Sequence, residues 1–400
     1  ERIRTWVDAD TGRILGRTNL VMNAARHTAR VFEQNPHSTP ELSTVELSWI
    51  PDDADELIAP GIEAKICIDD IDYTTDCRTQ PVIADATGSF TEYDYTSDVD
   101  YGDDFAAIQA FYHVARAREY ASFLGLDALE TEIKVNYAPT YGACSPVEGD
   151  AEMPFDNAFF DGDHSLVFGQ GAEVDFAYDG DVAIHEFGHA IKAHLGGEQL
   201  GDHDALGTNH VPRAVGEAYA DYLTLALTND PKIAEYALGN REPWNGIIPA
   251  RDLEAQRRTC SGMVGEPHED SLILSSALYA ARRTLAASGA NIAAYDRAIL
   301  STQRALTGRE SFERVAAIIT AEVEASVGNE AGTAVEHELN ANGLFDCDRI
   351  IPVERGAAHR LVMLSVTPND PSTLQLAFEV TKAVEEIEVS FTPVVLATCE

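Results

Sequence analysis

The stretch His185-Glu-Phe-Gly-His189 constrains this chain more than any other part of its sequence. On an α-helix, two residues four positions apart are separated by about 400°, so both imidazoles leave the same face, one turn apart. Such a pair can bind one zinc ion, and Glu186 is placed to act as a general base on water. The same letters also occur by chance in helices that bind no metal. The pattern therefore needs a third ligand elsewhere in the chain.

A histidine shortly after the pair does not fit as this third ligand. The pattern H-E-x-x-H-x-x-G-x-x-H would require glycine at position 192 and histidine at 195, but the chain has Lys192 and Leu195. His194 stands nine residues after His185, about 180° around a helix, and is expected to be a surface residue. His203 and His210 stay open as alternative ligands.

A second helical stretch, Ala214-Val-Gly-Glu-Ala-Tyr-Ala-Asp-Tyr222, offers a glutamate instead. Glu217 would bind the metal, and Asp221, one turn later, would accept the second ring N–H of a ligand histidine. Two acids at this spacing are also typical of a solvated helix face. Together with the histidine pair, they favour a three-ligand zinc site.

These residues resemble the thermolysin-like zinc metalloendopeptidases, and most closely the fungalysin-type branch. The resemblance implies zinc held by His185, His189 and Glu217, with Glu186 as the base and Asp221 orienting a ligand histidine. It also implies an α+β fold of two lobes, with the zinc helix at the cleft between a β-rich N-terminal lobe and a mainly helical C-terminal lobe.

Further stretches carry the same resemblance. By the resemblance, Asn157 and Ala158 bind the substrate backbone from an edge strand, His268 stabilises the tetrahedral intermediate, and Arg251 supports the substrate. The stretches concerned are Asn157-Ala-Phe-Phe160, Ser165-Leu-Val-Phe-Gly169, Gly265-Glu-Pro-His-Glu-Asp-Ser-Leu-Ile273 and Arg251-Asp-Leu253.

One feature departs from the family. Thermolysin-like enzymes carry a tyrosine shortly before the glutamate ligand, but residues 190–216 contain no tyrosine. His210 or a later tyrosine is a candidate replacement. The 27 residues between His189 and Glu217 form a longer connection than in thermolysin, which favours the fungalysin-type branch.

The charge of the chain excludes several classes of partner. The sequence has 67 acidic and 28 basic residues and a net charge of −39, which argues against binding to nucleic acid or an anionic membrane surface. No apolar run approaches the roughly 18 residues that a membrane span needs. Peptide or protein substrates, and the chain's own propeptide, are the expected partners.

Four parts are expected along the chain. Residues 1–20 resemble the last hairpin of a propeptide, with an ordinary hairpin of the mature enzyme as the alternative. Residues 21–195 form the β-rich lobe, 196–349 the helical lobe, and 350–400 a small C-terminal β module that is expected to be truncated. The first residue is not methionine, and no signal peptide opens the chain, so the start reads as cut from a longer protein.

The six cysteines are an even number, as in a secreted protein with disulfides. Cys67 and Cys77 are placed to close a loop, and Cys260 is expected to pair with Cys347. Free buried thiols are the alternative. Cys144 and Cys399 complete the set.

Residues 94–104 contain five aspartates in eleven positions, directly before a helix expected over Phe105–Leu124. Their carboxylate oxygens could bind calcium. Alternatively, Asp103 and Asp104 cap that helix. His113 within it is expected to be structural.

From Asp270 onward the apolar periodicity predicts helices, the first of which Asp270 or Ser271 would cap. The predicted helices are Leu272–Leu285, Ile292–Leu306, Ser311–Ser326 and Ala331–Ala341.

The function expected from these observations is that of a secreted zinc endopeptidase, which hydrolyses internal peptide bonds through a zinc-bound water activated by Glu186. A catalytically dormant zinc-binding or adhesion protein of the same fold is one alternative. An aminopeptidase is another, but it needs a site for the substrate's free amino group, and the sequence offers no convincing one.

Overall fold

The computed structural model describes most of the chain between residues 27 and 347, together with short strands outside it. The ranges described in full are 27–68, 77–93, 103–126, 130–137, 155–171, 174–196, 209–238 and 250–347. The backbone alone is described for strands at 3–7, 14–19, 71–72, 139–140, 202–204, 207–208, 351–353, 365–367, 370–375 and 378–380.

A six-stranded sheet forms the centre of the N-terminal part. Its order is β12-β13-β10-β6-β5, with β8 paired to β6. Parallel pairing joins β6, β10 and β13, whereas β12 runs antiparallel to β13 at the sheet edge. Every residue of β13 is buried, as is typical of a strand covered on both faces. The strands are β5 (Ile58–Ala59), β6 (Ile62–Cys67), β8 (Thr79–Pro81), β10 (Thr131–Tyr137), β12 (Ala158–Phe160) and β13 (Ser165–Gly169).

The other strands form small sheets. A hairpin joins β1 and β2, as the sequence predicts, and β3 pairs with β4 and β9. These strands are β1 (Ile3–Val7), β2 (Ile14–Asn19), β3 (Thr28–Val31), β4 (Ser43–Glu46), β7 (Ile71–Asp72), β9 (Ser89–Phe90), β11 (Pro139–Thr140), β14 (Asp202–Asp204), β15 (Gly207–Asn209), β16 (Lys232–Ile233), β17 (Arg251–Asp252), β18 (Ile351–Val353), β19 (Ser365–Thr367), β20 (Asp370–Gln375) and β21 (Phe378–Val380).

The assignment of the hairpin to a propeptide, and the four-part division of the chain, stay predictions.

Helix α1 (Asp104–Phe123) packs on this sheet. Its N-cap is Asp103, whose side chain accepts a hydrogen bond from the backbone N–H of Phe105. The capping role expected for Asp103 is therefore present, while the calcium prediction falls largely on residues 94–102, outside the described residues. His113 is buried and its Nε2 lies 3.2 Å from the carbonyl oxygen of Phe32, as expected for a structural histidine.

Two central helices, α2 (Gly180–Gly196) and α3 (Val211–Thr228), cross at close range. A Cβ placed on Gly188 would lie only 2.8 Å from the Cα of Ala220. Because real Cβ contacts are almost never this short, glycine at position 188 lets the two helices approach. Asn229, in the left-handed conformation with φ 58°, ends α3.

The C-terminal part is helical, as predicted, with two corrections to the boundaries. Helix α4 begins at Pro267, five residues earlier than expected, and Glu266 caps it rather than Asp270 or Ser271. The carboxylate of Asp270 instead accepts hydrogen bonds from the backbone of Val264 and Gly265. The stretch predicted as one helix from Ile292 changes to a 3-10 turn at Thr302. The helices are α4 (Pro267–Ala287), α5 (Ile292–Ser301), α6 (Phe312–Ser326) and α7 (Asn329–Ala341).

Two disulfides, Cys67–Cys77 and Cys260–Cys347, are present as the sequence predicts. Cys144 and Cys399 lie outside the described residues. The prediction of an α+β fold is confirmed by the separate sheet and helical parts. Among the described helices, none is both long and apolar enough to cross a membrane.

Candidate active site

Three predicted ligand side chains meet where α2 crosses α3. The Nε2 atoms of His185 and His189 lie 3.2 Å apart. The Glu217 carboxylate faces both, with Oε2 at 3.0 Å from His185 Nε2 and Oε1 at 3.6 Å from His189 Nε2. One ligand atom from each residue lies within 4.8 Å of the other two.

This donor set fits a catalytic zinc ion. Two imidazole nitrogens and one carboxylate oxygen are a known combination in catalytic zinc sites, which keep one further position for water or substrate. A bound cation would also stabilise this arrangement, because it attracts the lone pairs of the two ring nitrogens and the charge of the carboxylate. Within the described part of the chain, no other three His, Cys, Asp or Glu side chains are close enough to bind a metal. His210, the N-cap residue of α3, is not in the group, and the side chain of His203 is outside the described residues.

A buried carboxylate supports the first ligand from behind. Asp221 is fully buried, one helical turn after Glu217, and its Oδ1 lies 3.0 Å from His185 Nδ1. With a proton on Nδ1 directed at Asp221, the lone pair of His185 Nε2 is left facing the other two ligands. Burial opposes the charge of Asp221, but Arg251 and His185 hold its pKa at about 2.

Arg251 makes two hydrogen bonds to this same carboxylate, from Nε to Oδ2 at 2.8 Å and from Nη2 to Oδ1 at 2.7 Å. The hydroxyl of Ser271, which donates to the carbonyl oxygen of His268 at 2.7 Å, also lies 3.3 Å from Oδ2. The pairing of Arg251 with Asp221 was not foreseen from the sequence, where the resemblance implies contact with substrate. Arg251 also lines a cavity of about 40 Å³ beside the ligands, so a role in substrate support stays a prediction.

His268 lies in the first turn of α4 and faces the same centre. Its Nε2 is 3.5 Å from Glu217 Oε2, and its Nδ1 is 2.8 Å from Glu266 Oε1. Although burial disfavours the charged ring, Glu217 and Glu266 raise the pKa of His268 above its usual value. Sequence reasoning missed Glu266, for which the pattern Glu-Pro at a helix start is a usable signal.

A cavity of about 320 Å³ contains these groups and opens beside β12. Glu186 is buried, follows His185 on α2 and lines the cavity. Asn157 and Ala158 line it from the other side, where Ala158 belongs to the edge strand and the carbonyl oxygen of Asn157 accepts a hydrogen bond from Gly169 N–H at 2.9 Å. The predicted ligands, Glu186, His268, Asn157, Ala158 and Arg251 therefore line this cavity or the smaller one beside it, whereas Asp221 lies buried behind His185.

Two basic residues of this cavity were not predicted. Lys192 on α2 and Arg213 on α3 both line it. The sequence signal was available, because each lies about one turn from a predicted ligand on its own helix: Lys192 is three residues after His189, and Arg213 is four before Glu217.

Comparison with known proteins supplies one family match. The family described as thermolysin metallopeptidase, catalytic domain, matches residues 63–193, a range that includes His185, Glu186 and His189 but ends before Glu217. No curated protein matches the chain. Among solved structures, the precursor of protealysin, a metalloproteinase from Serratia proteamaculans, is similar at 14% sequence identity, with 70% of this chain and 87% of that chain covered and a TM-score of 0.46. The family match confirms the thermolysin-like resemblance and does not distinguish the fungalysin-type branch.

Proposed function

We propose that this chain, a thermolysin-like metallopeptidase, is a zinc-dependent endopeptidase in which His185, His189 and Glu217 hold the metal. The observation that carries the proposal is the convergence of these three side chains within 4.8 Å, with Glu186 lining the same cavity. Glu217, on α3, lies beyond the residues of the family match, so its assignment as a ligand rests on its distance from the two histidines.

The chain's own groups would divide the work of hydrolysis. When bound, zinc would supply a Lewis acid that polarises the substrate carbonyl and lowers the pKa of water to about 7. Glu186 takes a proton from the attacking water as the new C–O bond forms, and passes it to the nitrogen as the C–N bond breaks.

His268 is the proposed donor to the negative oxygen of the tetrahedral intermediate. Glu266 Oε1 lies 2.8 Å from Nδ1 of the ring, so Nε2 is directed at the reaction centre. A single donor of this kind typically contributes about 10²–10³ in rate. No tyrosine lines the cavity in the described part of the chain.

The edge strand β12 favours an endopeptidase. An extended peptide can add to a sheet edge along its backbone, with Asn157 and Ala158 as the nearest contacts. An aminopeptidase would need a carboxylate for the substrate's ammonium group. Among the described lining residues the carboxylates are Glu186 and Glu217, and both already have roles.

Hydrolysis of an end-blocked, internally quenched peptide mixture tests this function. Glu186→Gln is expected to keep its zinc content and to lose about 10²–10⁴ in kcat, because the base is removed and the ligands are not. Glu41→Gln, at an exposed glutamate, serves as the matched control. If the native chain, with zinc confirmed and any propeptide removed, cleaves the peptides no faster than Glu186→Gln, the chain is the dormant zinc-binding alternative and not a peptidase.

We further propose that the chain acts outside the cell and binds calcium. Two disulfides support secretion, because such bonds persist in oxidising compartments. The acidic residues 94–104 support calcium binding. Recovery of the oxidised chain from the culture medium tests the first, and calorimetric titration of the zinc-loaded chain with calcium tests the second.

A further inference from the structure

A basic side chain stands at the cavity in a chain that is otherwise strongly acidic. Arg213 lines the cavity from α3, four residues before Glu217 and so on the same helix face. Its side chain is exposed to solvent. The net charge of −39 gives the rest of the molecule the opposite sign.

Lys192, the other basic residue of the cavity, is turned elsewhere. It is buried, and its ammonium group lies toward the end of α2, where a Cβ added to Gly196 would be 2.9 Å from Nζ. The charge of Glu310 acts on this ammonium group. The aliphatic part of Lys192 therefore lines the cavity, while its ammonium group lies away from the cavity, in the protein interior.

The charge of Arg213 is opposite to the one that a helix N-terminus favours. It stands in the first turn of α3, where the unpaired N–H groups give a partial positive charge that favours acidic side chains and disfavours basic ones. The first turn of α3 contains no acidic residue, and the side chain of the N-cap residue His210 makes no capping hydrogen bond. The helix terminus and Arg213 thus add to one local positive field at the cavity.

We propose that Arg213 forms a subsite for a carboxylate of the peptide substrate, either an Asp or Glu side chain or the C-terminal carboxylate. A guanidinium group pairs with a carboxylate through two parallel hydrogen bonds, which gives both affinity and orientation. This inference rests on the proposed peptidase function and names its substrate class.

The test compares matched peptides. A set of quenched, end-blocked peptides carries Glu, Gln or Lys at each position flanking the scissile bond, and a second set has a free or amidated C-terminus. The native chain is expected to show a kcat/KM ratio of about tenfold for the carboxylate over its neutral partner at one position, as one charged hydrogen bond allows. In Arg213→Gln this ratio is expected to fall to about one, and in Arg213→Glu the preference is expected to move to Lys at that position.

Two further measurements separate this inference from the peptidase function itself. Binding of the same peptides to the inactive Glu186→Gln variant, followed by fluorescence anisotropy, should show the same ratio without any cleavage. Arg314→Gln, a matched change at an exposed arginine on α6, should leave the ratio unaltered. A ratio near one at every position, an unchanged ratio in Arg213→Gln, or an equal change in Arg314→Gln overturns the subsite. Loss of cleavage alone, with the binding ratio intact, contradicts only the peptidase function.

Discussion

Arg251 binds both carboxylate oxygens of Asp221, at 2.8 and 2.7 Å, and both side chains are buried. Asp221 in turn lies 3.0 Å from His185 Nδ1. A chain of contacts therefore runs from the strand β17 through α3 to the first zinc ligand on α2. Its consequence is that the orientation of His185 depends on a residue that does not touch the metal site.

Replacing Arg251 with methionine should weaken both the fold and the metal site. The change leaves Asp221 buried and charged without its strongest partner, and breaking a buried ion pair typically costs about 3–5 kcal/mol. Disturbing the group behind a ligand histidine typically lowers metal affinity about 10- to 100-fold. Urea denaturation and zinc competition with a chromogenic chelator measure the two effects.

Arg251→Lys is the matched control, because it keeps the charge but cannot make both hydrogen bonds, and its effects should be smaller. If instead Arg251→Met raises KM while stability and zinc affinity stay unchanged, Arg251 acts on the substrate, as the family resemblance implies.

Gly188→Ala is expected to loosen the zinc site without touching a ligand. The added methyl group would meet Ala220 Cα at 2.8 Å and Ala220 Cβ at 3.1 Å, so α2 and α3 must move apart. Overpacking of this kind typically costs about 1–3 kcal/mol. Because Glu217 is on one helix and the two histidines are on the other, zinc affinity should fall as well.

The same substitution at Gly262 provides the comparison, since a Cβ there would have its nearest neighbour, Arg258 Cγ, at 3.9 Å. Gly262→Ala should change stability by no more than about 0.5 kcal/mol. An equal zinc affinity for native protein and Gly188→Ala would show that the helix crossing does not set the ligand geometry.

Removal of zinc by a chelator should lower the melting temperature reversibly. A ligand that binds only the folded state, present at 100 times its dissociation constant, stabilises that state by about 2.7 kcal/mol. Calorimetry of the native chain before and after dialysis against a chelator, and after return of zinc, measures this. His189→Ala should show a much smaller difference. Equal shifts in both proteins would place the stabilising ion elsewhere.

The ligand helices could be predicted from the sequence because the helical period alone determines which side chains share a face. His185 and His189, like Glu217 and Asp221, are four residues apart, so each pair needs only a local rule. The disulfide Cys67–Cys77 follows from a similarly local pattern, whereas the α+β class was implied by the family resemblance.

The contacts that support these residues could not be predicted in this way. Arg251 and Asp221 are 30 residues apart and on different elements, and their pairing depends on how β17 packs against α3. The start of α4 was placed too late because the apolar period begins at Leu272, whereas Pro267 and the capping carboxylate of Glu266 begin the helix earlier. Glu266 then lies beside His268, a pairing that apolar periodicity does not indicate.

The acids at the start of α2 should make stability depend on pH. Asp179 is buried, and its pKa is raised to about 7 by that burial. Burial also raises the pKa of Asp181 well above its usual value, and the charges of Asp179 and Glu235 add to this effect. A carboxyl with a higher pKa in the folded state holds a proton that the unfolded chain releases. Its contribution is therefore favourable at acid pH and is lost as the pH rises from about 4 through the folded pKa.

Asparagine does not titrate, so Asp181→Asn loses less stability than the native chain as the pH rises. The free energy of unfolding of the variant minus that of the native chain should therefore increase between pH 5 and pH 8. Urea denaturation midpoints of both proteins at saturating zinc measure the difference. Because both proteins have the same zinc ligands, the pH dependence of zinc binding is the same in both and does not affect the difference. Asp53→Asn, at an exposed aspartate, should show a constant difference over the same range. If Asp181→Asn behaves like Asp53→Asn, folding does not raise the pKa of Asp181, and this residue does not make the stability of the zinc helix depend on pH.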